Sequence, residues 1–122
     1  MASEQQTVLV VEDEMLIRFN MVDALEAAGF NVLEASDVEE AVTVLNAYPE
    51  IRAVFTDVDM PGSMDGLKLA AVVYAQWPST KIIVTSGHRH VTEADIPVKS
   101  RFFSKPYNPS TIIENLSEML AA

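Results

Sequence analysis

Short apolar runs in this 122-residue chain end in groups capable of polar chemistry. Glu12 and Asp13 follow VLVV, Asp57 follows AVFT, Thr85 and Ser86 close KIIV, and Lys105 follows RFFS. Taken singly, each has an ordinary explanation: an acid or serine after a strand is commonly a helix N-cap, and a lone lysine a solvated charge. Taken together they are more demanding. Three carboxylates brought to one place repel one another and lose hydration, so one keeps its proton unless a cation joins them. No histidine or cysteine lies near these positions, which points to a hard, oxygen-loving ion. Mg2+ fits, with Mn2+ as the alternative, because it takes a few carboxylates and keeps several waters that phosphate oxygens can replace. The chemistry implied is neutralisation of a phosphoryl group.

Elements that gather such groups are legible in the pattern. Apolar runs recur at Thr7–Val11, Asn31–Ala35, Ala53–Thr56, Lys81–Thr85 and Arg101–Ser104, with helical spacing between them. Val8 to Val11 and Ile82 to Val84 are continuous, as expected of strands buried on both faces of a parallel sheet. Ile17, Met21, Ala24, Leu25 and Ala28 predict one face of a first helix, stopped by Gly29. Val38, Ala41, Val42 and Leu45 predict a second, with Ser36 and Glu39 at capping-box spacing. Leu67, Ala70, Ala71, Tyr74 and Trp77 predict a third, ended by Pro78. Between His88 and Lys99 only Val91 to Ile96 can wind, a turn or two at most before Pro97. A last helix runs through Ile112, Ile113, Leu116, Met119 and Leu120, with Asn108 as N-cap and Pro109 at its first position.

Strand–helix alternation in so short a chain predicts an α/β fold: a doubly wound five-stranded parallel sheet of order 2-1-3-4-5, a (βα)5 chain with helices on both faces. Ligands then bind beyond the carboxyl ends of the strands, where the order reverses between the first and third. The acids, hydroxyls and lysine named above all fall on that rim.

Composition narrows the classes. The length fits one domain, residues 1–122, with a polar N-terminal arm over residues 1–6. A net charge of −10 disfavours direct contact with nucleic acid or an anionic membrane. The absence of cysteine excludes disulfides and thiol chemistry. No secretory signal or membrane-length apolar run is visible, so a cytoplasmic location is expected.

The blocks VLVVEDE, VFTDVDMPGSMDG, IIVTSG and FFSKPY resemble, in order and spacing, those of bacterial response-regulator receiver domains, from about Thr7 to Leu120. The resemblance implies a flavodoxin-like fold and a signalling module, not a turnover enzyme. By that resemblance Asp57 is the phospho-acceptor, a carboxylate nucleophile toward phosphohistidine on a histidine kinase or phosphotransfer protein. Asp13 and Asp57 would ligate Mg2+ directly, Glu12 through water, and Asp59 through its backbone carbonyl. Lys105 would pair with the phosphoryl oxygens and Ser86 would hydrogen-bond one of them, with Phe102 swinging inward as the switch. Lys105–Pro106 is expected to be cis. Asp59 and His88 stand where the family tunes phosphoryl lifetime.

The chain departs from the usual pattern in places. Glu12 replaces the commoner Asp, Phe102 lacks a tyrosine hydroxyl, and PGSMDG is one residue longer than the usual turn. His88 and His90 as phosphodonors or metal ligands are the weaker account beside ordinary surface residues. Met15, Phe19 and Val22 form a second stripe on the first helix: a wider buried face, or a docking strip for a partner's helical bundle. The competing classes are a phosphorylation-independent interaction module and a flavodoxin-like cofactor binder or small hydrolase, the last pair weakened by the acidic EDEML where a phosphate loop would stand. The Met1 start favours a complete domain over a fragment of a longer regulator. The downstream target is not legible.

Overall fold

The computed structural model describes residues 5–59, 65–87 and 91–121. Five strands form one parallel sheet in the order β2-β1-β3-β4-β5. β1 (Thr7–Val11) is buried throughout, and β3 (Ile51–Asp57) and β4 (Lys81–Ser86) are buried except at Arg52 and Lys81. These central strands have helices on both faces, which is why their apolar residues run on without alternating. β2 (Asn31–Ala35) and β5 (Arg101–Ser104) are the edges and are less covered. The β1–β3 register skips Arg52, pairing Thr7 with Ile51 and Val8 with Ala53. That extra residue turns the Arg52 side chain to solvent while its neighbours stay in the core.

Successive side chains feed two separate half-cores. Val8, Val10, Phe55 and Ile83 pack with Met21 and Leu25 of α1 (Met15–Ala27) and with Ile112 and Leu116 of α4 (Pro109–Ala121). Leu9, Val11, Val54 and Val84 pack with Ala41 and Leu45 of α2 (Val38–Ala47) and with Leu69 and Val73 of α3 (Gly66–Gln76). Each fully buried aliphatic side chain contributes roughly 1.5–3 kcal/mol over an exposed one. The architecture is the flavodoxin-like fold expected, with four α-helices among the described residues. The fourth helical segment is a single 3-10 turn, Glu93–Asp95, held by reciprocal bonding between Thr92 and Asp95 and stopped before Pro97.

Several local expectations shift. Helix α2 is capped by Asp37, which accepts from Glu40 N at 2.7 Å, while Ser36 donates to the Glu40 side chain. The capping unit thus sits one residue later than the Ser36/Glu39 spacing indicated, because a carboxylate is the stronger acceptor at the helix start. Helix α3 buries Leu69, Ala70 and Val73 and leaves Ala71 and Tyr74 exposed. Of the expected stripe, Ala70 is buried and Leu67 and Trp77 pack against the core, but the apolar residues nearly encircle the helix, so spacing alone misplaced Ala71 and Tyr74 and passed over Leu69 and Val73. Gly29 does end α1, at φ +99°, and Asn108 Oδ1 caps α4 by accepting from Ser110 N at 2.9 Å. Among the described residues no helix is long and apolar enough to cross a membrane.

Candidate functional site

The carboxyl ends of β1, β3, β4 and β5 bring the predicted groups to one rim. Glu12 and Asp57 are buried almost completely, at 0% and 1% exposure, while Asp13 faces solvent. One carboxylate oxygen from each lies within 4.8 Å of the others. Three acids offering only oxygen, two walled in and one open to water, suit a small hard divalent cation that retains part of its hydration.

Lys105 brings a positive charge to these acids. Its Nζ lies 3.2 Å from Glu12 Oε1 and 3.2 Å from Asp57 Oδ2. The Lys105–Pro106 peptide is cis, as expected. Backbone groups hold the remaining oxygens: Glu14 N donates to Glu12 Oε2 at 3.1 Å, and Asp59 N to Asp57 Oδ1 at 3.2 Å. Arg18 ties the loop after β1 in place, donating from Nη1 to the Glu12 carbonyl at 2.9 Å and from Nε to Glu34 at 3.0 Å.

The electrostatics follow from burial. Loss of hydration pushes the Glu12 and Asp57 carboxyls above the ordinary carboxylate range, against the pull of their amide donors and of Lys105. Burial opposes the Lys105 charge as well, but the Asp57 and Glu12 carboxylates outweigh it and hold the ammonium above the usual lysine value. Tyr107, edge-on to Phe55 at 5.5 Å, is pushed up to about 12 by burial and then by the Glu12 charge. The rim is therefore a place where negative charge is held at a cost and where an added cation is favoured.

The two hydroxyls closing β4 part company. Thr85 pairs with Asp57 in the sheet, and its Oγ1 is buried with no hydrogen-bond partner among the described residues. Ser86 Oγ instead donates to Asp59 Oδ2 at 2.8 Å. The sequence placed Asp59 as a backbone metal ligand and a tuner of phosphoryl lifetime; its side-chain contact with Ser86, 27 residues away, was not among those expectations. Phe102 is half-buried in β5 opposite Val84 and packs against the half-core of α2 and α3. His88, His90 and most of PGSMDG lie outside the described residues.

On α1 the second stripe splits. Val22 is buried, whereas Met15 and Phe19 are 56% and 47% exposed, beside Leu16 at 78%. A wider buried face accounts for Val22 alone.

The response regulator receiver protein CpdR of Brucella abortus (strain 2308) is 30% identical over 118 residues, covering 94% of this chain and 97% of that protein. The sensor kinase CckA of the same organism is 34% identical over 122 residues, 97% of this chain but 13% of its own length. The chain likewise spans 24% of a putative NtrX-like response regulator of Rickettsia felis. Among solved structures, a response regulator receiver protein from Sinorhizobium medicae WSM419 superposes with a TM-score of 0.90 at 28% identity, covering 98% of this chain and 97% of that one. The sequence profile of the response regulator receiver domain matches residues 8–117, the sheet from the second residue of β1 onward and most of α4, so the chain belongs to the response regulator receiver domain family.

Proposed function

We propose that Asp57 is the phospho-acceptor of this receiver domain, taking a phosphoryl group from a histidine on a kinase or phosphotransfer protein. An Asp57 carboxylate oxygen attacks phosphorus, the phosphorus–nitrogen bond breaks, and the departing imidazole nitrogen takes up a proton. The observation that carries the reading is Lys105 Nζ set equally close to the buried Asp57 and Glu12 carboxylates. An ammonium there meets the charge on the transferred oxygens without reorganising. Glu12, Asp13 and Asp57, with the Asp59 carbonyl, would hold Mg2+. When bound, that ion relieves the repulsion among these acids and polarises the phosphoryl oxygens. Ser86 would then bond a phosphoryl oxygen, and Phe102 would follow it inward, altering the surface around the 3-10 turn and β5. In this reading the domain acts as a single signalling unit over residues 1–122 and alters the contacts of a partner protein, with no substrate of its own to turn over.

Intact-mass measurement after incubation with Mg2+ and acetyl phosphate tests the assignment. Wild type should gain one phosphoryl group and Asp57→Asn none. An adduct on both overturns it and places the acceptor elsewhere; an adduct on neither overturns it and favours a phosphorylation-independent module.

In this reading the donor approaches over α1. Met15, Leu16 and Phe19 are exposed, and beside them a groove of about 510 Å³ is lined by Ile17, Met21, Lys105, Pro106 and Tyr107. An apolar strip leading to the reactive lysine suits one helix of a partner's bundle. Met15→Ala with Phe19→Ala should slow transfer from a phosphorylated phosphotransfer protein by about tenfold, since exposed apolar anchors carry most of such binding energy. Transfer from acetyl phosphate should be unchanged. Equal loss with both donors would assign these residues to the fold instead.

A further inference from the structure

We infer that the Asp59 carboxylate is an internal latch on Ser86, occupying the donors that a phosphoryl group on Asp57 requires. The inference rests on the phospho-acceptor reading and adds to it a competitor built into the resting protein. Asp59 Oδ2 accepts from Ser86 Oγ at 2.8 Å and from Gly87 N at 3.0 Å. A hydroxyl and the next backbone amide converging on one anionic oxygen form a charge-assisted pair, the kind of arrangement that holds a phosphate oxygen equally well. Asp59 also reaches the acceptor directly, its amide donating to Asp57 Oδ1. One residue therefore touches the site of phosphorylation through its backbone and the switch serine through its side chain.

The surroundings leave little else free to move. Val58 N donates to the Thr85 carbonyl at 2.8 Å, and Lys105 N to the Ser86 carbonyl at 3.0 Å. The backbone of β4 is thus clamped by both neighbouring strands where the latch closes, and the competition falls to the Ser86 hydroxyl rotor. A new anion on Asp57 must draw the O–H of Ser86 and the N–H of Gly87 away from an anion already bound to them. The latch favours the resting arrangement and opposes the phosphorylated one. Asp59→Asn keeps the shape and substitutes a neutral, weaker acceptor; Asp59→Ala removes the acceptor.

Two readouts test this together. In unphosphorylated protein without added Mg2+, the Gly87 amide proton should move upfield in both Asp59→Asn and Asp59→Ala, more in the alanine variant, because it loses an anionic acceptor. With Mg2+ and acetyl phosphate, Asp59→Ala should raise the steady-state ratio of phosphorylated to free protein by about tenfold, the effect of losing one charge-assisted bond. In a Ser86→Ala background that gain should shrink to within about threefold. An unmoved Gly87 resonance, or an equal gain in both backgrounds, overturns the latch and leaves Asp59 acting through its charge alone. Failure of wild type to take up phosphate would instead refute the acceptor reading, while the Gly87 shift would still report the latch.

Discussion

Lys105→Met should slow phosphorylation of Asp57 by acetyl phosphate by about 100-fold, the usual cost of deleting one preorganised charge at a reacting centre. The same change alters stability in a way that pH resolves. Lys105 is 19% exposed and touches both buried carboxylates, so its loss leaves two like charges facing each other with no counter-charge. That costs on the order of 2 kcal/mol at neutral pH, less than for a pair sealed from water. Glu12 and Asp57 are already held above their ordinary values, so the folded state binds protons more tightly than the unfolded one. Their contribution is therefore most favourable below the unfolded values and is lost as pH rises through the folded ones. Without the ammonium those folded values rise further. Thermal melts of Lys105→Met should accordingly fall well below wild type at pH 8 and converge on it as the pH approaches the ordinary carboxylate range. A phosphorylation rate within threefold of wild type would remove Lys105 from the reacting centre, and a pH-independent gap in melting temperature would remove it from the charge balance.

Gly66→Ala should be among the most damaging single changes to the fold. Gly66 opens α3 directly beneath the end of β3, where a Cβ would overlap the Asp57 carbonyl oxygen and stand 2.8 Å from Val58 Cα. These are backbone atoms that cannot step aside. Val58 N is bonded to Thr85 O, and Asp65 caps the helix by accepting from Leu67 N and Lys68 N. Either α3 tilts away from Leu69 and Val73, or the strand bearing Asp57 is displaced. The cost should be about 3 kcal/mol or more, a fall in melting temperature on the order of 10 °C. Gly29→Ala is the control. Nothing lies within 4 Å of its added Cβ, so only the φ of +99° opposes it, at about 1 kcal/mol. Equal melting temperatures for the two variants would mean that α3 does not press on β3.

Those two sites also mark what a sequence discloses and what it withholds. The sheet was legible because strands covered on both faces leave no polar interruption, as in Val8 to Val11. The end of the fourth helical segment was legible because Pro97 permits no alternative. Asp57 and Lys105 stood out because an acid and a lysine close apolar runs whose ends the topology must align. The buried stripe of α3 was only partly legible: Leu67, Leu69, Ala70, Ala71, Val72 and Val73 crowd every side of that helix, and only packing selects among them. The contact of Asp59 with Ser86 and Gly87 was hidden for another reason. It joins loops from two strands through a side chain, and local spacing says nothing about where a side chain turns.

The neighbouring phenylalanines of β5 have a consequence for traffic through the molecule. Phe102 belongs to the half-core of α2 and α3, and Phe103 to that of α1 and α4. The sheet is a partition between them. On the proposed reading, a donor settling on α1 would press on the second compartment, while the aromatic that would report the outcome lies in the first. Arrival and response would then be kept apart by the sheet, with the rim where Asp57 sits as a route between them.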